Sequence, residues 1–359
     1  MEHVNRTAEP VGVAVAGYGY WGPNLARNVA VGDATELRAV CDVSEDARAR
    51  AHKLHPTTLV TGDWETVLAD PEVEAVVVAL PIALHHRVAL EALEAGKHVL
   101  VEKPLAQSVA ECDELIAAAE RAGRVLMAGH TFEYNAAVEA VRGYLAAGEL
   151  GEPYYVSMRR TNLGIVRSDA NAMWNLAPHD VSILCHWLDS APVSVSATGV
   201  AQLQPGIHDV VFLSVMFANG VLGHVHCSWL DPNKVREATV VGSRKMVRYD
   251  DVSPDQKIWL YDKGIVREEV THPDLGRYED FGRFQMLARA GDVVIPKVHF
   301  KEPLAREVAE FADSIRSGRA PRTDGHNGRR VVSILEAAQR SLEAGGAVRE
   351  LAIPAGAGS

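Results

Sequence analysis

The sequence predicts an α/β fold in which a doubly wound parallel sheet is followed by an α+β half with a large, mostly antiparallel open sheet. Three observations carry this. The 359 residues are 47% hydrophobic and 23% charged, a globular balance, and aromatics make up only 6%, so the core rests on Val, Leu, Ala and Ile, the composition of helices packed on a mainly parallel sheet. From residue 11 to about residue 148, short apolar runs alternate with helical patterns. After Gly151-Glu152-Pro153 the rhythm turns mostly to strands, joined by hairpin signals such as Asn219-Gly220.

In the first part, residues 11–16, 36–41, 58–60, 74–79, 98–101 and 124–128 read as strands, and residues 22–31, 44–54, 63–68, 85–95, 108–122 and 135–147 as helices. Ser108-Val109-Ala110-Glu111 is a capping box that starts one of these helices. In the second part, residues 154–161, 193–203, 210–218, 221–230, 235–241 and 258–261 read as strands and residues 178–187 as a helix. Two further helices, over 303–317 and 328–343, are expected to pack their apolar faces back on one domain or the other. Residues 272–298 show neither period and read as a long loop over the site or at a subunit contact. The expected division is residues 1–150 and 151–359, with a frayed small-residue tail over 355–359.

Charge narrows the function. Thirty-six basic residues against 47 acidic ones give −11, with a pI near 5.8, which argues against nucleic acid and anionic membranes as partners. Small molecules and other subunits remain. The longest apolar runs, such as residues 75–80, stop far short of the ~20 residues a membrane span needs. The first ten residues are polar and lack an apolar signal region, so the expected location is the cytoplasm. Cys41, Cys112, Cys185 and Cys227 are widely spaced, without a C-x-x-C pair, and read as buried small hydrophobes rather than disulfides or zinc ligands.

Directly after the first strand stands Gly17-Tyr18-Gly19-Tyr20-Trp21-Gly22, a G-x-G-x-x-G opening a helix. The first glycine permits a tight turn, the second lets the backbone reach a pyrophosphate, and the third allows close helix packing, with the helix N-terminus toward the phosphates. Tyr20 and Trp21 belong to the same cofactor loop. Asp42, twenty residues past Gly22 at the end of the second strand, can accept from ribose hydroxyls and would repel a 2′-phosphate, so NAD is preferred over NADP. Arg48 and Arg50 on the next helix are the residues that can reach such a phosphate.

After the fifth strand the chain reads Glu102-Lys103-Pro104, at the carboxyl end of a doubly wound sheet, where ligands bind. A lysine there can hydrogen-bond a substrate hydroxyl and stabilise an alkoxide. A surface Glu-Lys pair before a turn would look the same.

With the G-x-G-x-x-G, Ala95-Gly96-Lys97-His98-Val99 before Glu102-Lys103-Pro104, and Pro178-His179-Asp180 further on, nearly the whole chain resembles the glucose-fructose oxidoreductase, inositol dehydrogenase and MocA family. The resemblance implies a Rossmann domain and an open-sheet domain that carries substrate and often the oligomer interface. It implies Lys103 and His179 as the catalytic pair flanking the reacting carbinol. Asn175-Leu176-Ala177-Pro178-His179 stands where this family usually shows D-x-G-x-H, so Asn175 replaces an Asp and cannot serve as base, although it can donate and accept hydrogen bonds. His179 has the ordinary pKa, ~6.5, of an acid/base working near neutrality. Ala79-Leu80-Pro81-Ile82-Ala83-Leu84-His85 resembles the family's T-P-x-x-x-H loop, which places Leu80, Pro81 and His85 along the adenosine-to-nicotinamide path.

His130, and Tyr134 just after it, also follow a strand end, with Tyr134 counted toward the substrate. Arg159, Arg160, Asn162, Arg167 and Trp174 precede His179 and offer phosphate-binding forks, an amide and a stacking face; pairing of the arginines with nearby acids is the equal alternative. His224-Val225-His226 lacks the further ligands a metal needs and is expected on a sheet face at a subunit interface. The expected activity is hydride transfer between NAD and a CH–OH or ketone carbon of a sugar, tilted by the arginines toward a phosphorylated or nucleotide-linked sugar, with C3 as the candidate carbon. Inositol-type cyclitols stand close behind, and a regulator that senses NAD and sugar without turnover is the alternative of another class. A homodimer or homotetramer is expected.

Overall fold

A computed structural model describes residues 9–164, 166–269, 284–289 and 291–352. Along the chain the elements are β1 (Val11–Ala16), α1 (Gly22–Val31), β2 (Thr35–Cys41), α2 (Glu45–Leu54), β3 (Leu59–Thr61), α3 (Trp64–Ala69), β4 (Ala75–Val78), α4 (His85–Glu94), β5 (His98–Glu102), α5 (Val109–Ala122), β6 (Leu126–Gly129) and α6 (Ala136–Ala146). There follow β7 (Pro153–Thr161), α7 (Ala172–Leu188), β8 (Pro192–Val200), β9 (Val210–Phe217), β10 (Leu222–Ser228), β11 (Val235–Gly242), β12 (Met246–Asp250), β13 (Ile258–Tyr261), β14 (Gly264–Glu269), β15 (Phe284–Arg289), β16 (Val293–Val294), α8 (Pro303–Ser317), α9 (Gly325–Glu343) and β17 (Arg349–Glu350).

The chain forms two compact units, Met1–Asn135 with Lys301–Glu336, and Ala136–Phe300 with Ala337–Ser359. Measured against the linear division at residue 150, α6 joins the second unit and α8 the first. The first unit holds a six-stranded parallel sheet in the order β3-β2-β1-β4-β5-β6, whose direction of winding reverses between β1 and β4. Its strands β1, β4 and β5 are buried on both faces and so read as continuous apolar runs rather than alternating ones. Leu304, Val308, Phe311 and Ala312 of α8 complete the core around Val11, Val13 and Val15. The N-cap of α5 is Ser108, whose hydroxyl accepts from the Glu111 N–H, but the Glu111 carboxylate reaches the Gln107 N–H at 2.8 Å, one residue before the position a full capping box uses.

The second unit is built on a nine-stranded sheet, β16-β13-β12-β11-β7-β10-β9-β8-β17, antiparallel except for the β7–β10 pair. Alternation decides its faces: Val211, Leu213, Val215 and Phe217 of β9 are buried, while Phe212 and Met216 are exposed. Helix α7 packs on β7, β9 and β10.

Three expectations change. Helix α7 begins at Ala172, six residues before Pro178, because Asn171 caps it by accepting the Trp174 N–H at 3.0 Å and because Ala172, Met173 and Ala177 are buried. β12 is a further strand; its Val247 and Tyr249 are buried and alternate with the half-buried Met246, Arg248 and Asp250. Within 272–298, residues 284–289 form a strand paired with β14 rather than loop, β16 pairs with β13, and residues 272–283 and 290 lie outside the described residues.

Candidate functional site

In the first unit the glycine loop is shaped by close approach. Gly17 has φ +98°, a left-handed value, and a Cβ there would lie 2.4 Å from the Ala79 carbonyl at the end of β4. A Cβ on Gly22 would lie 2.1 Å from the Gly17 carbonyl, which seats α1 against the loop. At Gly19 a Cβ would meet nothing within 4 Å, so the open side of the loop is backbone alone. No side chain caps the start of α1, where Pro23 has no N–H and the Asn24 N–H donates to the Trp21 carbonyl at 2.9 Å, so an anion there would meet the Gly22 N–H and the positive end of the helix dipole. This cradle fits a dinucleotide.

Asp42 follows β2 and ties the loop to the sheet: Oδ2 accepts from the Tyr18 N–H at 2.6 Å and Oδ1 from the Ser44 N–H at 2.8 Å. Arg48 donates to the Asp42 and Val43 carbonyls at 2.8 and 2.9 Å and stays with the β2–α2 backbone, whereas Arg50 reaches the glycine loop, donating to the Tyr18 carbonyl at 3.2 Å. Leu80 lies against Gly17 and Pro81 is exposed, both placed at the loop after β4.

His85 corrects an expectation. It is 2% exposed, and its two ring nitrogens stand 2.8 Å from the Pro104 and Leu80 carbonyls, so it clamps the loops after β4 and β5 to each other rather than lining a cofactor path. Burial holds its pKa below the ordinary value, although both carbonyls favour a protonated ring.

Glu102 ends β5, and Lys103 follows, half-buried, with a cis peptide to Pro104. The Glu102 carboxylate folds back to accept the Lys103 N–H at 3.2 Å and also accepts from the Trp21 side chain, which links the glycine loop to this turn. Burial pushes its carboxyl up to about 7 against the pull of the Lys103 charge. His130 is fully buried with neither ring nitrogen hydrogen-bonded, and burial lowers it to about 4. Tyr134 is also corrected: 1% exposed, bonded through its hydroxyl to Thr323 at 3.2 Å and covered by Arg322, it is core and does not face a substrate.

In the second unit, Asn175 and His179 lie four residues apart on α7, so they share one helix face, with Trp174 half-buried beside them in sequence. Pro178 between them has no N–H for the Trp174 carbonyl. The Trp229 indole donates to Asn175 Oδ1 at 3.2 Å, which orients the amide. Asp180 is locked to Arg160 by two bonds, 2.8 and 2.9 Å, with both side chains about 5% exposed or less. It anchors α7 to β7 and is no base.

The other arginines are engaged as well: Arg159 pairs with Asp231, and Arg167 grips Asp169 through two bonds of 2.8 and 2.6 Å. Of the two equal readings of these arginines, the structure shows the pairing with nearby acids. Asn162, half-buried, follows β7 and donates its N–H to Ser228. His224 and His226 of β10 lie on the sheet face with Phe212, His226 stacked on it at 4.4 Å. Among the described residues, no group of three or more His, Cys, Asp or Glu can hold a metal, and all four cysteines are free and buried. No described helix is long and apolar enough to cross a membrane.

Sequence reasoning missed Glu307. It sits on α8 at the buried stripe of Leu304, Val308 and Phe311, and is itself fully buried, with Thr131 Oγ1 donating to Oε2 at 2.8 Å. A charged residue inside a helix's apolar stripe was the available signal.

Residues 11–130 match the oxidoreductase family with the NAD-binding Rossmann fold, and residues 138–248 match the GFO/IDH/MocA C-terminal domain. The uncharacterized oxidoreductase YrbE of Bacillus subtilis is 23% identical over 348 residues, 92% of this chain and 94% of that one. An inositol 2-dehydrogenase of Salmonella agona is 27% identical over 267 residues, 68% of this chain and 79% of its own length. Among solved structures, GenD2 from gentamicin A biosynthesis, in complex with NAD, aligns with a TM-score of 0.80 at 25% identity, covering 96% of this chain and 97% of that one.

Proposed function

Since the chain belongs to the Gfo/Idh/MocA oxidoreductase family, we propose that it moves hydride between NAD and a secondary alcohol or ketone carbon of a sugar or cyclitol. The observation that carries this reading is Lys103 at the carboxyl end of β5, in a turn tied through Glu102 and Trp21 to the glycine loop. NAD supplies the nicotinamide carbon that takes or returns the hydride. Gly17, Gly19, Gly22 and the start of α1 hold its pyrophosphate, Asp42 its adenosine ribose, and Tyr20, Trp21, Leu80 and Pro81 border it. Lys103 hydrogen-bonds the reacting oxygen and stabilises its negative character. His179 takes the hydroxyl proton in oxidation and returns it in reduction. Asn175, oriented by Trp229, hydrogen-bonds a neighbouring substrate hydroxyl, with Asn162 and Trp174 as further contacts.

Because carboxylates engage Arg159, Arg160 and Arg167, we place an uncharged sugar or cyclitol ring ahead of a phosphorylated or nucleotide-linked sugar oxidised at C3. The test is NADH absorbance with a panel of free sugars, inositols and nucleotide sugars. Turnover of an uncharged ring supports the reading. Turnover of nucleotide sugars alone overturns the substrate class, and NAD binding without any turnover favours the sensor. We also propose a homodimer or homotetramer assembled through the outward sheet face, where Tyr155, Phe212, Met216 and Leu222 are exposed.

A further inference from the structure

Trp229 stands just past the end of β10 and is fixed on several sides. It is 2% exposed, and its backbone N–H donates to the Asp209 carbonyl at 3.0 Å. Asp209 is itself fully buried, and its Oδ2 accepts from the Gln202 and Leu203 N–H groups at 2.6 and 2.9 Å. The indole N–H of Trp229 then meets the side-chain amide of Asn175 at 3.2 Å. An indole nitrogen donates and never accepts, so the amide turns its oxygen to it. Turning the amide over would set N–H against N–H and strand the donor of a buried ring, which disfavours that orientation by roughly 10- to 100-fold. The Asn175 nitrogen is therefore the end of the amide that faces away from Trp229. It carries two N–H bonds, so one serves a ligand even where the other is engaged within the protein.

We propose that Asn175 determines specificity by offering the substrate hydrogen-bond donors alone, so that the site takes a ring with an acceptor oxygen beside the reacting carbon, from a hydroxyl or an acylamino group, and rejects a ring with an ammonium there. The inference rests on the proposed contact of this α7 face with the substrate. Asn175 and His179 are both half-buried, and side chains one turn apart start about 5–6 Å from each other, so a ring whose carbinol meets His179 brings a neighbouring substituent to Asn175. A hydroxyl or an amide carbonyl receives the Asn175 N–H. An ammonium has three donors and no acceptor, so opposite Asn175 both groups give up hydrogen bonds to water and gain none. Trp229 is the positioning residue: an asparagine without it would turn its amide over and serve either substituent.

The probes are glucose, its 2-amino and 3-amino derivatives and the N-acetyl form of each. Binding to the full chain with NAD present is measured by calorimetry, and turnover by NADH absorbance. At one of the two ring positions the amino sugar is expected to bind about tenfold more weakly than glucose, and N-acetylation to restore the binding. Asn175→Asp turns an acceptor toward the ring and should reverse that order. Trp229→Phe changes no charge, releases the amide and should erase most of the difference, an effect on ligand choice that a merely structural role would not produce. The hydrogen bond itself is read from the NMR signal of the Trp229 indole proton, which should move downfield in Asn175→Asp as a charged acceptor replaces a neutral one, whether or not Trp229→Phe folds. The proposal is overturned by amino sugars that bind as tightly as glucose at both positions, by N-acetylation that restores binding at neither, by an order unchanged in Asn175→Asp or in folded Trp229→Phe, or by an unmoved indole signal. Binding of none of these rings would instead refute the sugar reading, an outcome distinct from binding in the wrong order.

Discussion

Removing the carboxylate of Asp180 should be among the most damaging single changes in the second unit. Arg160 and Asp180 are 5% and 4% exposed, and two near-ideal bonds fill the guanidinium fork. Desolvation alone would lower the Arg160 pKa, but Asp180 more than offsets it and holds the group charged. In Asp180→Ala that charge stays, since a guanidinium does not shed its proton, and it loses both bonds to the carboxylate. Breaking a buried pair this way costs about 3–5 kcal/mol, whereas Arg159→Ala, which removes a 47%-exposed guanidinium and leaves Asp231 its bonds from Thr161 and Asn233, should cost far less. Replacing both partners with apolar side chains, Arg160→Met with Asp180→Leu, should recover most of the loss, because neither charge is left to desolvate. Urea unfolding followed by far-UV circular dichroism measures all four chains. A loss below about 1 kcal/mol for Asp180→Ala, or a double variant no better than the single one, would mean that water reaches the pair and that it does not hold α7 to β7.

NADH should bind more tightly than NADPH by fluorescence titration, and Asp42→Ser should narrow the difference; equal affinities in the parent chain would show that Asp42 points away from the ribose. His179→Asn should cut kcat by about 10²- to 10⁴-fold with NADH affinity nearly intact, while Lys103→Ala should damage both kcat and KM; near-normal kcat in His179→Asn would hand the proton to another group. Acidification should destabilise through His130, whose folded pKa of about 4 lies below the ordinary 6.5: the unfolded chain then binds more protons, and roughly 3 kcal/mol is lost as pH falls from 6.5 through 4. His130→Leu should flatten that slope, and an unchanged slope in thermal unfolding against pH would place the loss elsewhere. Light scattering should give the mass of a dimer or tetramer, and a monomer at micromolar concentration would leave the exposed sheet face unexplained.

Much of the first unit was legible because its determinants are local. Apolar runs separated by helical patterns, glycines at a strand end and a capping serine each act within a few residues, and β1, α1 and α8 stand where those signals put them. Glu102-Lys103-Pro104 was likewise visible, as a strand end. The start of α7 was not: Pro178 is a favoured first residue of a helix, and only Asn171 and the buried Ala172, Met173 and Ala177 show that the helix had already begun. What only the tertiary structure decided is which charges meet. The partners of Arg159 and Arg160 lie 72 and 20 residues away, His85 finds the Pro104 carbonyl 19 residues on, and Tyr134 meets Thr323 across 189 residues. Residue type and spacing state what such groups can do, but a pairing between them exists only once packing has excluded water and brought distant segments of the chain together.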